Sequence, residues 1–124
     1  MPNYLLLLHA DPNIFKNAAP AELQSVFQKY YGWRTRLQEA GSLVSGAKLQ
    51  DGTGRILRKE NDELAIIDGP YSETKELIGG LFEIRADNYD QAVEIAKSCP
   101  HLEYGTIELR QVDGAPAGAS SGAK

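Results

Sequence analysis

The sequence predicts an α+β fold, and three observations support this prediction. Residues 21–40 and the segment between Asp87 and Pro100 place apolar side chains at the 3.6-residue period of an amphipathic helix. Strand-like runs flank both segments, and Asn61-Asp62 marks a hairpin between them. The resulting order matches the ferredoxin-like βαββαβ plan with an inserted β-hairpin, in which two helices cover one face of an antiparallel sheet.

The first predicted strand, residues 4–8, is a tyrosine followed by four leucines. Because both of its faces are apolar, we expect a central strand that is covered on each side. The strand leads into His9, Ala10 and Asp11, which begin a loop without a helix or strand period.

The first predicted helix carries a wide apolar stripe and ends at Gly41, a favourable residue just beyond a helix. The stripe consists of Leu23, Val26, Phe27, Tyr30, Trp33 and Leu37. Arg34 lies eleven positions after Leu23, which predicts a side chain near the middle of this stripe. Two interpretations stay open: its stem packs while the guanidinium reaches water, or it binds a buried carboxylate or an anionic ligand.

The middle of the chain supplies a second strand and the hairpin. Residues 43–49 are strand-like, and Gly46 within them indicates a bulge or a close backbone approach. Residues 55–59 and 63–67 form the arms of the hairpin, which leads the chain to Asp68.

The second β-α-β unit closes the domain. Residues 80–86 alternate with a period of two, a helix capped by Asp87 or Asn88 follows, and residues 105–112 form the last strand. The outward positions of these two strands hold Glu83, Arg85, Glu108 and Arg110.

Composition limits the domain count and the location. Residues 1–112 are expected to form one domain, and residues 113–124, rich in Gly, Ala and Ser, are expected to be a disordered tail or a remnant of expression. No basic segment precedes the first strand and no cleavage-like motif follows it, so we expect no membrane partner and a cytoplasmic location.

Charge and motifs exclude several classes of function. The 13 basic residues are scattered and the net charge is −4, which argues against a nucleic-acid partner. The two distant histidines and the single Cys99 do not have the spacing of a metal site. The phosphate-binding and dinucleotide-binding glycine motifs are missing, so we expect neither a metal nor a cofactor. Cys99 is expected to be a buried structural thiol.

The most polar loop runs from Asp68 to Glu76 and holds four charged groups in nine residues. It lies between two apolar runs, and loops in such positions often carry function. Pro70 favours a turn, and Ser72 or Thr74 is suited to cap a short helical turn after it. A capped surface turn with solvated charges is the alternative interpretation.

His9 is the best candidate for proton transfer, because it ends the first strand and Asp11, two residues later, is within reach as an orienting carboxylate. A histidine whose hydrogen bonds are satisfied by the backbone is the alternative. His101 follows Pro100 in a connecting segment and is interpreted as structural or exposed.

The segment Asp68-Gly69-Pro70-Tyr71-Ser72-Glu73-Thr74-Lys75-Glu76 resembles the signature of the DGPF-domain proteins, a branch of the YCII-related family. Tyr71 stands where most members carry phenylalanine, so the chain differs there by one hydroxyl. The resemblance extends from the opening strand to Arg110.

The resemblance implies a dimeric α+β barrel, in which the sheets of a homodimer close face to face around a polar cavity with the signature loop at its mouth. Members of the wider family have been viewed as acid–base enzymes with a His and Asp pair. Their histidine usually lies on the first helix, where this chain has Trp33 and Arg34. Some relatives resemble lyases or isomerases of ring-cleavage or chlorinated hydroquinone metabolites.

Three functional hypotheses follow. The first is an interfacial pocket for a small anionic or phenolic molecule, with Asp68 and His9 as catalytic residues of a cofactor-independent lyase or isomerase. Its predicted ligand-binding residues are Trp33, Arg34, Tyr71, Glu73, Lys75, Glu76, Arg85 and Arg110. The second is a non-catalytic sensor module that partners an extracytoplasmic-function sigma factor. The third is a structural network formed by the charged loop.

Overall fold

The computed structural model describes residues 1–69 and 76–114. The strands are β1 (Asn3–Ala10), β2 (Leu43–Lys48), β3 (Arg55–Glu60), β4 (Glu63–Asp68), β5 (Leu77–Arg85) and β6 (Thr106–Gln111). The helices are α1 (Pro20–Glu39), between β1 and β2, and α2 (Tyr89–Lys97), between β5 and β6. A short 3₁₀ turn, Pro100–Glu103, follows α2. The predicted helical turn within residues 70–75 and the tail beyond residue 114 lie outside the described residues.

The sheet confirms the predicted α+β class. Its four strands have the order β2-β5-β1-β6, and each neighbouring pair is antiparallel. This order is compatible with a ferredoxin-like fold. Within the described part of the chain, strands β3 and β4 pair only with each other, in a separate antiparallel ribbon. The ribbon turns at Asn61 and Asp62, whose φ angles of 52° and 66° are those of a tight hairpin turn.

The hydrophobic core lies between the helices and one face of the sheet. Along β1, Tyr4, Leu6 and Leu8 are buried, and Ile84 on β5 joins them. Trp33 of α1 is 1% exposed; its indole Nε1 donates to Ser98 Oγ at 2.8 Å. Because both helices contribute to the same cluster, they cover the same side of the sheet.

The packed stripe of α1 is narrower than predicted. Val26, Trp33 and Leu37 are buried and Tyr30 packs against the core, which is the i, i+4, i+7, i+11 spacing of one helix face. Phe27 is 57% exposed. It is one position, about 100°, away from Val26 around the helix axis, so the prediction that it is buried was wrong.

Arg34 is exposed for the same geometric reason as Phe27. It lies seven residues after Phe27, on the same side of α1. The predicted position in the middle of the apolar stripe was therefore wrong, and the guanidinium meets solvent in this chain. The end of the helix was predicted correctly: Gly41, at φ 77°, donates to Gln38 O while Ser42 donates to Leu37 O.

Neither of the two described helices covers the other face of the sheet. Leu5 and Leu7 of β1 point to this face and are partly exposed. Leu7 lies opposite Leu81 of β5 and opposite Glu108 of β6. Along β1, β5 and β6, the residues that alternate with the core residues point to this side of the sheet, which we call the open face. Among residues 1–69 and 76–114, the prediction that β1 is covered on both sides is fulfilled on one side only.

Candidate functional site

His9 lies on the open face, next to an irregularity in the sheet. In the β1–β5 pairing, Leu8 is opposite Gly80 while His9 is opposite Ile78, so Gly79 is an extra residue on β5. Such bulges change the direction of nearby side chains and are frequent beside functional sites. The pairing with β6 is regular, and it places His9 directly opposite Thr106.

A carboxylate on the neighbouring strand orients the His9 ring. His9 Nε2 lies 3.0 Å from Glu108 Oε1, with 25% of the His9 side chain and 44% of the Glu108 side chain exposed. An ionised carboxylate only accepts hydrogen bonds, so Nε2 is the donor and the neutral ring keeps its lone pair on Nδ1. Within the residues that the structure describes, Nδ1 makes no hydrogen bond. The arrangement suits a general base that becomes an imidazolium stabilised by Glu108.

Glu76 and Arg110 extend this cluster. Thr106, the cross-strand neighbour of His9, donates its hydroxyl to Glu76 Oε1 at 3.1 Å. Arg110 Nη1 lies 3.7 Å from Glu108 Oε2 and is 69% exposed. Two of the predicted ligand-binding residues are thereby brought to the surroundings of His9.

A buried hydrogen-bond chain lies behind His9. His101 is 5% exposed; its Nε2 lies 2.8 Å from the backbone oxygen of His9, and its Nδ1 lies 2.8 Å from Tyr30 Oη. A carbonyl only accepts, so Nε2 carries the proton and Nδ1 accepts from the tyrosine. Burial lowers the pKa of His101, although the His9 carbonyl and Glu76 act in the opposite direction. Burial likewise raises the pKa of Tyr30.

The structural interpretation of His101 agrees with these contacts, whereas its possible exposure was wrong. Cys99 is buried as predicted, and burial raises the pKa of its thiol to about 11, so it remains protonated at neutral pH.

The two carboxylates that the sequence suggested for catalysis, Asp11 as the partner of His9 and Asp68 as a catalytic residue, do not contact the His9 ring. Asp11 Oδ1 accepts from the backbone N–H of Asn13 at 2.9 Å, in a local turn. Asp68 ends the β3–β4 ribbon; its side chain is 93% exposed and lies 3.4 Å from Arg55 Nε. The structure therefore pairs His9 with Glu108, which the sequence placed only among the outward charges.

Other predicted ligand-binding residues lie apart from His9. Trp33 is in the core, on the opposite side of the sheet. Arg85 pairs in register with Asn3, at the other end of β1 and about 20 Å from His9 at the usual rise per strand residue. Its Nη1 donates to Gly41 O at 3.4 Å. Tyr71, Glu73 and Lys75 lie outside the described residues.

A shallow cleft lies away from the His9–Glu108 pair. It has a volume of about 610 Å³ and lies between α1 and the Pro100–Glu103 turn. Two of its three cations are paired, Lys29 with Glu103 at 2.9 Å and Lys97 with Glu94 at 2.7 Å. No residue of the open face lines it, so it offers no chemistry to His9.

Across residues 1–69 and 76–114, no three His, Cys, Asp or Glu side chains are grouped as metal ligands would be. Neither helix in this part of the chain is both long and apolar enough to cross a membrane.

Fold and site together define a small α+β domain that carries a histidine–carboxylate pair on the open face of its sheet. Residues 3–114 match the YCII-related domain family, and the chain belongs to this family, as the resemblance predicted. An uncharacterised protein of Rhizobium meliloti (strain 1021) is 28% identical over 110 residues, which cover 86% of this chain and 89% of that protein. The similarity therefore extends over most of both chains.

Proposed function

We propose that the protein is a homodimer whose open faces enclose a pocket for a small anionic or phenolic molecule, and that His9 and Glu108 transfer protons there. The observation that carries this proposal is the 3.0 Å contact between His9 Nε2 and Glu108 Oε1, on a sheet face that neither described helix covers. The proposal includes the dimeric α+β barrel and the DGPF branch, for which the signature at residues 68–76 is the support.

The composition of the open face supports a second copy as its cover. Leu5, Leu7 and Leu81 form an apolar strip there, while Glu83 and Glu108 are carboxylates on the same face. Contiguous apolar surface with polar neighbours is typical of an interaction site. A second copy would bury the leucines and leave the charged side chains around an enclosed space.

Proton transfer by this pair needs no cofactor. His9 Nδ1 takes a proton from a phenol or from a carbon next to a carbonyl, and Glu108 stabilises the resulting imidazolium. Return of the proton to another atom of the same molecule completes an isomerisation. Its return to a leaving group completes an elimination. Arg110, beside Glu108, supplies positive charge for an anionic substrate.

The remaining predicted residues take different parts in this proposal. Asp68, Tyr71, Glu73 and Lys75 remain ligand-binding or catalytic predictions from the signature, and Glu76, the last residue of the signature, is joined to β6 through Thr106. Trp33 is left out of the pocket wall because it is 1% exposed in the core. Arg34 and Arg85 remain predictions without a contact to His9.

The test is a screen of phenols, lactone acids and hydroxy acids, with binding measured by calorimetry and turnover by NMR. For a ligand that wild-type protein converts, His9→Ala and Glu108→Gln should each lower the rate by about 100-fold or more. The matched control, Glu103→Gln, removes a carboxylate on the helix side and should leave the rate unchanged. Equal turnover by all four proteins would contradict the acid–base assignment.

The sigma-factor module remains the alternative prediction, since a sensor needs the pocket and no proton transfer. Tight binding without conversion, unchanged by Glu108→Gln, would favour that alternative. Capture of a purified extracytoplasmic-function sigma factor by the full chain would then identify the partner.

A further inference from the structure

We propose that His101 is a positioning residue, which holds the backbone of His9 so that the His9 side chain meets Glu108. This inference rests on the proposed function for its catalytic meaning, and on three independent contacts for its geometry. It assigns a role to a residue that is 92 positions away from His9 in the sequence.

The first contact is the hydrogen bond from His101 Nε2 to the His9 carbonyl, at 2.8 Å. His9 is the second-last residue of β1, where the pairing with β5 has just shifted at the bulge. A strand end beside a bulge has less backbone support than a regular strand. The bond from His101 fixes the peptide plane that follows His9 and thereby limits the direction of the His9 side chain.

The second contact is the close approach of the Gly105 backbone, just before β6, to the His9 oxygen. A Cβ atom at this position would lie 2.0 Å from the His9 oxygen and 2.9 Å from His101 Nε2. Any other residue would collide with both atoms of the hydrogen bond, so the absence of a side chain at Gly105 permits the close approach. Gly105 thus leaves the space that His101 needs to donate to the His9 carbonyl.

The third contact fixes the ring itself. Tyr30 Oη lies 2.8 Å from His101 Nδ1, and the two rings are tilted with centroids 6.1 Å apart. The tyrosine hydroxyl makes Nδ1 an acceptor, which leaves the proton on Nε2, where the His9 carbonyl needs it. Tyr30 is on α1, on the covered side of the sheet. Through His101 it therefore helps to fix the backbone of His9, whose side chain lies on the open face.

The experiment uses the full chain without ligand and reads NMR cross-peaks between the His9 ring and the Glu108 methylene protons. Wild-type protein should show them. His101→Phe keeps a ring of similar size but removes the donor to His9, so the cross-peaks should fall by at least half. His101→Gln retains an N–H donor and should restore them.

Tyr104→Phe is the matched control, because it removes the hydroxyl of a tyrosine beside Tyr30 that bonds to Lys29 and not to the His101 ring. It should leave the cross-peaks intact. Should His101→Phe not fold, His101→Met is the donor-free replacement, since its flexible side chain adapts to the space. Undiminished cross-peaks in the folded donor-free variant, or equal loss in Tyr104→Phe, would overturn the positioning role.

The two proposals fail in different ways. If no ligand is ever converted but the cross-peaks follow the expected pattern, His101 positions His9 and the proposed function is wrong. If turnover depends on His9 and Glu108 while the donor-free His101 variant keeps both cross-peaks and rate, the proposed function stands and the positioning role is wrong.

Discussion

The two faces of the same sheet differ in how deeply their side chains are buried. On the covered face, Tyr4, Leu6 and Ile84 are at most 1% exposed and pack beneath the helices. On the open face, Leu7 and His9, from the same strand, remain partly exposed. Strand alternation thus separates residues that hold the fold from residues that are available for binding. The comparison predicts large stability effects on the first side and functional effects on the second.

The largest effect is expected from Trp33→Ala on the covered side. This substitution empties a site that is 1% exposed and removes the donor to Ser98, so the free energy of unfolding should fall by about 3–5 kcal/mol. Urea denaturation measures it. Tyr31→Ala, at a neighbouring position that is 73% exposed, should change stability by less than about 0.5 kcal/mol. Similar losses in both variants would contradict the assignment of the core.

A smaller loss of stability is expected from Gly105→Ala, at the point where the buried His101 meets the backbone of His9. The new Cβ would lie 2.0 Å from the His9 oxygen, so the backbone must shift, at a cost of about 1–3 kcal/mol. Gly79→Ala is the control, because a Cβ there meets nothing within 4 Å. Urea midpoints that are equal for the two variants would show that the close approach does not constrain the fold.

Acidification should destabilise the protein through His101. Burial lowers its folded-state pKa below the unfolded value of about 6.5, so the unfolded state binds the extra proton first. This contribution to stability is complete above about pH 6.5 and is lost as the pH falls toward the folded pKa. The slope is at most about 1.4 kcal/mol per pH unit for one proton.

The groups that face His101 are Tyr30, Glu76 and the His9 ring, so the measurement needs a variant that isolates His101. Urea midpoints between pH 7.5 and 5 should fall less steeply in His101→Gln than in wild type. Parallel profiles would mean that His101 does not titrate differently in the folded and unfolded states.

The smallest stability effect is expected from Glu108→Gln on the open face. Partly exposed polar pairs such as His9–Glu108 contribute about 0–1 kcal/mol, so thermal and urea midpoints should hardly change. The same variant is expected to lose turnover of any converted ligand. A loss above about 2 kcal/mol would show that the pair holds the fold, which would remove the contrast between the two faces.

Local pattern in the sequence was sufficient for most elements. Both helices, the hairpin turn at Asn61-Asp62, and the alternation of β5 were predicted because each depends on residues a few positions apart. The exact buried face of α1 was not predicted, because the apolar stripe in the sequence was broad enough to include Phe27 on its edge.

The candidate site depended on longer-range information. His9 was recognised as a titratable residue at a strand end, but its partner depends on the strand register, which joins residues 99 positions apart. The bulge at Gly79 and the contact of His101 with the His9 carbonyl likewise have no local sequence signal. The proximity of Asp11 in sequence therefore suggested the wrong carboxylate.

The most direct test of the open face is the mass of the full chain in solution, measured by sedimentation equilibrium. The proposal predicts twice the chain mass of 13.6 kDa for wild type, and a single chain mass for Leu7→Asp with an unchanged circular dichroism spectrum. Leu102→Asp, at an exposed site on the Pro100–Glu103 turn, should remain dimeric. A monomeric wild type, or a Leu7→Asp variant that stays dimeric, would contradict closure of the open face by a second copy.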